Sequence, residues 1–245
     1  MKPQYKEEGI VLQAIRYDDS RLVIRVFTLS SGLRSYIVRP SRKGAAGTGM
    51  VMFQPLTHLR FEATRSRGPA LETIRHASLV SSPLLSASGV LRPAIALFLA
   101  DLLNHTITHH ESDAALFGLI EEVIARVTQG PEELLPDIPL IFMMQQASAM
   151  GFEPLIGNPQ PHQVFDLMEG RFVETATHGH YIPADWTNLF AHTALSSREG
   201  FHPLKIPSGS RATLLAFVIE YFRLQIPGLE ELKSVQVLHE VLAVL

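Results

Sequence analysis

The arginines and lysines of the first eighty positions are the residues with the clearest chemical potential. This stretch holds thirteen Lys and Arg against six Asp and Glu, a net charge of +7, whereas the remaining 165 residues hold eight against eighteen, a net of −10. Binding of single-stranded nucleic acid requires a cationic groove along the phosphates and flat side chains on which bases stack. The residues predicted to form such a DNA-binding surface are Arg16, Arg25, Arg34, Tyr36, Arg39, Arg42, Lys43, Arg65 and Arg67.

Four aromatic residues of the same stretch are candidates for base stacking. Phe27 and Phe53 are predicted to fill the core, and Tyr17 remains a candidate ring. Tyr36 is the preferred platform, because Arg34 and Ser35 precede it directly. The competing interpretation is that these arginines only solvate a surface. A surface normally mixes charges of both signs, so the excess of +7 favours a binding role for the set.

Other chemistries have weaker support. The absence of cysteine excludes disulfides, thiolate nucleophiles and thiolate-bound zinc. His105 and His109 share one face of a predicted helix, beside His110, and His178 and His180 flank a glycine. No His-Glu-x-x-His or Gly-x-Ser-x-Gly motif accompanies them, so they are interpreted as structural or surface histidines. The sequence therefore predicts no enzyme, no metal and no cofactor; a metal-dependent hydrolase that uses His105 and His109 is the remaining enzymatic alternative.

These residues must be positioned by strands in the first part of the chain. Apolar runs of short length, separated by polar or glycine-containing turns, predict five strands, which is the number in an OB-fold barrel. The predicted strands are Gly9–Ile15, Arg21–Leu29, Leu33–Val38, Phe53–Ala63 and Leu71–Val80. The glycine-rich segment Pro40–Met50 is predicted to be a basic loop. It lacks the terminal Gly-Lys-Ser/Thr of a nucleotide-binding loop.

Helical periodicity replaces the strand pattern after Ser82-Pro83. The predicted helices are Val90–Thr108, Ala114–Thr128, Ile138–Met150, Ser210–Leu224 and Ser234–Leu245. Asp113 is a predicted N-cap and Gly151 a predicted helix end. Residues 154–187 are irregular, with a small hairpin at Gln163–Val173. We therefore predict a multidomain α+β protein with an OB-fold at 1–82 and a helical domain at 83–245.

No membrane segment is expected from the sequence. The start MKPQYKEEGIVLQ carries charges where a signal peptide needs an apolar run. The longest apolar stretch, Ala94–Leu103, is about half the length that a bilayer requires and contains Asp101. A buried helix and a cytoplasmic location are the resulting expectations.

Several motifs, in order along the chain, resemble those of the RecO family of recombination mediators. The N-terminal motifs are Glu8–Leu12, Tyr17–Val23 with Phe27-Thr28, Gly32, the basic loop Arg39–Lys43, and Gln54–Leu56. In the second half, Gln145–Pro154 and Ser234–Leu242 are similar to the family's two C-terminal motifs. The resemblance implies an N-terminal OB-fold and a C-terminal helical domain.

The same resemblance implies a function. It implies binding of single- and double-stranded DNA, annealing of complementary strands, and work with RecR to load RecA onto strands coated by single-strand-binding protein (SSB). Many family members carry a four-cysteine zinc module where this chain has Asn158–His180, so no zinc is expected there. The hairpin is expected to be held by packing of Phe165, Leu167 and Phe172. The alternative function is an OB-fold scaffold that grips acidic peptides without binding nucleic acid.

Overall fold

The computed structural model describes residues 4–40, 49–65, 71–86, 89–108, 110–207, 209–229 and 231–242. The strands of its first part are β1 (Gln4–Arg16), β2 (Leu22–Thr28), β3 (Gly32–Val38), β4 (His58–Thr64) and β5 (Glu72–Ser81). The helices are α1 (Pro83–Ser86), α2 (Leu91–Thr106), α3 (Ala114–Gln129), α4 (Ile138–Ala149), α5 (Ala184–Arg198), α6 (Ser210–Gln225) and α7 (Val235–Leu242). Three short strands, β6 (Val164–Asp166), β7 (Arg171–Val173) and β8 (Tyr181–Ile182), lie between α4 and α5.

The first five strands close into a barrel in the order β1-β2-β3-β5-β4. All neighbours are antiparallel except β3 and β5, which pair in parallel. The long strand β1 closes the ring, because its first half pairs with β4 and its second half with β2. The change of partner falls near Gly9, where an added Cβ would lie 2.6 Å from Val26 Cγ1. The predicted five-stranded, OB-like barrel followed by a helical region is confirmed.

Apolar side chains at every second position of the strands point inward and fill the barrel. Leu22, Ile24 and Val26 of β2 are buried in one apolar cluster with residues of the other strands. Phe53 belongs to this cluster. Phe27 is also buried, and its ring lies 6.0 Å from that of Phe117 in α3. The core positions predicted for both phenylalanines are confirmed.

Two strands begin more than one residue away from the predicted position. The fourth strand begins at His58 because Met50–Phe53 forms a 3-10 turn, Pro55 has no N–H for a ladder, and Leu56 has a φ of +58°. The first strand begins at Gln4, where the sequence is polar, because pairing with β4 extends to Thr64.

The five predicted helices all form, and two were missed: the four-residue α1 and the longer α5. Leu116 N–H donates to Asp113 Oδ1 at 2.9 Å, which confirms the predicted N-cap of α3. Gly151 follows the end of α4 with a φ of +82°, also as predicted. The helix α5 was missed because its many Thr, Ser, Asn and His residues hide the apolar spacing.

The predicted hairpin is present as β6 and β7, to which β8 adds a third strand. The ring of Phe165 lies 5.1 Å from that of Phe172 and 4.7 Å from that of Phe190 in α5. Asp166 accepts hydrogen bonds from the N–H groups of Met168 and Glu169, at 2.8 and 3.0 Å, which fixes the turn. Aromatic packing and this turn hold the small sheet together.

Close packing groups the chain into two compact units. One comprises residues up to Gln129 with Leu232–Ser234, so the barrel and α1 to α3 pack together; the other comprises Gly130–Glu231 and the segment from Val235. The boundary predicted at residue 82 follows the end of β5 and stays a prediction. Within the ranges that the structure describes, no helix is both long enough and apolar enough to cross a bilayer.

Candidate nucleic-acid interface

A groove of about 770 Å³ opens at one end of the barrel. We call it the barrel groove. Its walls are the start of β1, the β2–β3 turn, β3, and the segments that end β4 and begin β5. Its lining residues are Tyr5, Lys6, Ser30, Ser31, Leu33, Arg34, Ser35, Arg65, Leu71, Glu72 and His110.

The charge of the barrel groove is positive. Lys6, Arg34 and Arg65 face one carboxylate, that of Glu72, which leaves an excess of two positive charges. Among the residues that the structure describes, no carboxylate lies within 4.0 Å of the Arg34 or Arg65 guanidinium group. Lys6 is almost fully exposed and lies 4.0 Å from Glu62, a separation at which an exposed pair contributes little. These cations are therefore available to an anionic ligand.

Tyr5 places an aromatic ring beneath one of these cations. The Arg65 guanidinium carbon lies 5.5 Å from the centre of the Tyr5 ring. The Tyr5 hydroxyl donates to the Glu72 carboxylate and lies 3.3 Å from the Tyr36 hydroxyl. Burial, followed by the hydrogen bond to Glu72, raises the pKa of Tyr5 well above its usual range, so the phenol stays protonated. Sequence reasoning missed Tyr5 because it started the first strand at Gly9.

A buried carboxylate holds the β2–β3 turn that forms one wall of the groove. Glu7 accepts hydrogen bonds from the hydroxyls of Ser30 and Ser31 and from the N–H of Ser30. Opposite, Gly32 has a φ of +66°, and a Cβ there would lie 2.3 Å from the Glu111 carbonyl oxygen. The wall is thus anchored from both sides.

The prediction that bases stack on Tyr36 is wrong. Its side chain is fully buried in the barrel, and its ring meets that of Phe61 edge-on at 5.1 Å between centres. Arg34 and Tyr36 share one face of β3, since they are two residues apart. Arg34 lies where that face opens into the groove, whereas Tyr36 lies one step deeper, inside the core.

Arg25 has a structural role in place of the predicted contact with DNA. Its guanidinium donates to the backbone oxygen and to Oδ1 of Asn104, both at 2.9 Å, and to the Ile107 carbonyl at 3.2 Å. These acceptors lie at and just beyond the C-terminal end of α2, where carbonyl groups lack partners within the helix. Arg25 therefore fastens α2 to the barrel.

Arg16 lies in a second groove, of about 430 Å³, that also contains Asp18, Asp19 and Arg21. Arg16 Nη2 is 3.8 Å from Asp19, and Arg21 Nη2 is 2.6 Å from Asp18. A hydrogen bond from the Ser20 N–H and one from Arg21 lower the pKa of Asp18 to about 2. Since the charges of this groove cancel, it attracts an anion less than the barrel groove does.

The remaining predicted contacts fall at or beyond the edges of the described ranges. Arg39 is exposed, and no carboxylate of the described ranges lies within 4.0 Å of it. Arg42, Lys43 and Arg67 lie outside the described residues, in 41–48 and 66–70. They stay predictions.

The predicted structural histidines that can be placed have local partners. His110 Nδ1 donates to the Leu33 carbonyl at 2.9 Å, and His105 Nδ1 is 2.8 Å from the Asp101 carbonyl oxygen. His178 lies 3.1 Å from Asp166, and His180 lies 3.0 Å from Glu220. His109 lies outside the described ranges.

A closed, OB-like barrel with a cationic groove places the chain in the class of OB-like barrel proteins, whose barrels commonly bind oligonucleotides or oligosaccharides. Within that class, residues 1–83 match the family model described as Recombination protein O N terminal. The DNA repair protein RecO of Flavobacterium psychrophilum is 29% identical over 240 residues, covering 97% of this chain and 99% of the relative. Its counterparts from Bacteroides fragilis and Christiangramia forsetii are 29% and 26% identical, each covering 96% of this chain and 98% and 97% of the relative.

The chain is similar to RecO proteins across nearly its full length, and its first 83 residues match the family's N-terminal domain. The family resemblance seen in the sequence is thereby confirmed. RecO proteins are non-enzymatic proteins of DNA repair and recombination, which agrees with the prediction that this chain is not an enzyme. With no cysteine in its sequence, this chain lacks the four-cysteine zinc module.

Proposed function

We propose that this protein is a recombination mediator that binds single- and double-stranded DNA on its barrel and anneals complementary strands. In this role it works with RecR to load RecA onto single strands coated by SSB. The observation that carries the proposal is the barrel groove of a RecO-family chain, in which Arg34 and Arg65 have no carboxylate partner among the described residues.

The chemistry of the groove suits a nucleic-acid backbone. Phosphates would lie along Lys6, Arg34 and Arg65, which line the barrel groove. A base would stack on the planar Arg65 guanidinium, which the Tyr5 ring supports from below. Neither contact reads a base edge, so we expect binding without sequence preference.

The predicted loop cations extend this proposed path. Arg39 is exposed directly after β3, and Arg42 and Lys43 follow it in sequence, while Arg67 follows Arg65 by two positions. The sequence after residue 80 has a net charge of −10, which disfavours DNA and favours protein partners such as RecR and SSB. The proposed role places the protein in the bacterial cytoplasm, at the nucleoid.

Three measurements on the full chain test the proposal. Fluorescence anisotropy with labelled single-stranded and duplex oligonucleotides, titrated across salt, should show affinity that falls steeply as salt rises. Annealing of SSB-coated complementary strands should accelerate when the protein is added, and RecR should promote exchange of SSB for RecA.

The outcomes separate the mediator from a peptide-binding scaffold. A scaffold would bind polyglutamate in low salt and leave both oligonucleotides unbound, a result that rejects the DNA-binding proposal. Binding to DNA without any acceleration of annealing would reject the mediator role and retain only DNA binding.

A further inference from the structure

A histidine lies between two carboxylates on the barrel, outside the barrel groove. Glu8 belongs to β1, His58 begins β4, and Glu121 belongs to α3. His58 Nε2 is 2.9 Å from Glu8 Oε1, and His58 Nδ1 is 3.6 Å from Glu121 Oε1. The three side chains each offer one donor atom, and these atoms lie within 4.8 Å of one another.

The His58 ring is held in place, and one of its nitrogens lacks a hydrogen bond. The side chain is only 4% exposed, and the ring packs edge-on against Phe117 at 5.7 Å between centres. Nε2 is buried and has no hydrogen-bond partner, although Glu8 Oε1 is 2.9 Å away. Because 2.9 Å is a normal hydrogen-bond distance, the bond is absent because of its angle: Glu8 Oε1 lies off the axis along which an N–H at Nε2 would point. A buried ring nitrogen without a hydrogen bond lowers the stability of the folded state.

Two ligands of a single ion lie at a comparable separation. Zn²⁺ binds imidazole nitrogen and carboxylate oxygen at about 2.0–2.2 Å in a tetrahedral arrangement, so two such ligands lie roughly 3.4 Å apart. The ion would lie on the nitrogen axis, and the carboxylate oxygen would lie to the side of it. His58 Nε2 and Glu8 Oε1 are 2.9 Å apart, so an outward shift of Oε1 by about half an ångström would make room for the ion.

The surroundings of Glu8 orient the carboxylate for such a role. Arg60 Nε donates to Glu8 Oε2 at 3.0 Å, which leaves Oε1 directed at His58. A carboxylate hydrogen-bonded from behind is the usual support of a metal ligand. Glu121 has a side chain that is 45% exposed, so it can rotate toward an ion without disturbing the core.

We propose that Glu8, His58 and Glu121 form a binding site for a divalent transition-metal ion of the Zn²⁺ type. The mixture of one imidazole and two carboxylates suits Zn²⁺ better than Mg²⁺ or Ca²⁺, which prefer oxygen ligands alone. The ion would bridge β1, β4 and α3, and so fasten a helix to the barrel of a chain that has no cysteine for a thiolate site.

The test uses the full chain, free of any histidine tag and treated with chelator. Co²⁺ is added while the visible d–d absorption is followed, and Zn²⁺ is then titrated by calorimetry and by its effect on the melting temperature. We expect one ion per chain and a higher melting temperature with Zn²⁺. His58→Gln should abolish the Co²⁺ bands, and Glu121→Gln should weaken Zn²⁺ binding at least about tenfold.

His180→Gln is the matched control, because it removes a histidine that pairs with a carboxylate, Glu220, on an exposed surface. It should leave the Co²⁺ bands and the Zn²⁺ affinity unchanged. If His58→Gln fails to fold, Glu121→Gln carries the test, since its side chain is half-exposed. The proposal is overturned if the wild-type chain binds no ion, or if Glu121→Gln binds Zn²⁺ as tightly as the wild type does.

Discussion

Removing the two partner-free cations of the barrel groove should flatten the salt dependence of DNA binding. The perturbation is the double substitution Arg34→Ala and Arg65→Ala. Both side chains are exposed, and no carboxylate of the described ranges neutralises either guanidinium. Each is therefore expected to release one condensed counterion equivalent when it meets a phosphate.

The magnitude follows from counterion release. For single strands the slope of log K against log salt changes by about 0.7 per phosphate contact, so losing two contacts should reduce the slope by about 1.4. At about 0.1 M salt this corresponds to a loss of roughly 25-fold in affinity, or about 2 kcal/mol. Folding stability should change by less than about 1 kcal/mol, since only the exposed contact of Arg65 with Tyr5 is lost.

The assay is fluorescence anisotropy of a labelled single-stranded oligonucleotide at five or more salt concentrations. Arg126→Ala is the control, because Arg126 is an exposed arginine of the same compact unit and is paired with Glu122 at 3.1 Å. The control should keep the wild-type slope. An unchanged slope in the double variant, with its fold intact, would refute the assignment of the barrel groove to DNA.

Three further predictions concern residues away from the groove. Arg25→Ala should lower the free energy of unfolding by about 2 kcal/mol, because the charged hydrogen bonds from Arg25 to the end of α2 are lost. The salt dependence of DNA binding should stay as in the wild type. A flatter salt dependence would show that Arg25 does contact DNA. Asp137→Ala should cost about 3 kcal/mol in urea unfolding, because it leaves the largely buried Arg211 without its 2.7 Å partner, and a loss below about 1 kcal/mol would contradict this. The Asp18 carboxyl should titrate by NMR with a pKa of about 2, and Arg21→Ala should raise that pKa. Because the folded-state pKa is depressed, the contribution of Asp18 to folding stability is present at neutral pH and is lost as the pH falls toward 2. An ordinary pKa for Asp18 in the wild type would contradict the hydrogen bonds described.

The alternation of apolar and polar residues predicted most strands of the barrel, but it did not predict how deeply each inward-facing side chain is buried. In β2 the buried residues Leu22, Ile24 and Val26 follow the expected period of two. In β3 the same rule puts Arg34 and Tyr36 on one face, and it does not say that the barrel interior ends between them. That limit is set by the neighbouring strands, so an exposed arginine and a buried tyrosine could not be told apart from their spacing.

The candidate site was predicted as a charge excess and not as a set of contacts. Arg34 and Arg65 of the predicted set do line the barrel groove, whereas Arg25 is used to hold α2. Tyr5 was missed because its polar neighbours conceal a strand that forms only through pairing with β4. The roles of Arg25 and Tyr5 both depend on contacts between residues far apart in the sequence, and the local residue pattern does not contain that information.

By itself the sequence determined the five short strands, the change to helices, the positive charge of the first eighty residues and the ordered motifs of the RecO family. These properties are local, since each depends on residue type and on spacing within one element. Only the tertiary structure decided which cations remain free, which tyrosine lines the barrel groove, and that Glu8, His58 and Glu121 meet. Those outcomes depend on burial and on partners brought together from distant parts of the chain, and no periodicity within a single element records them.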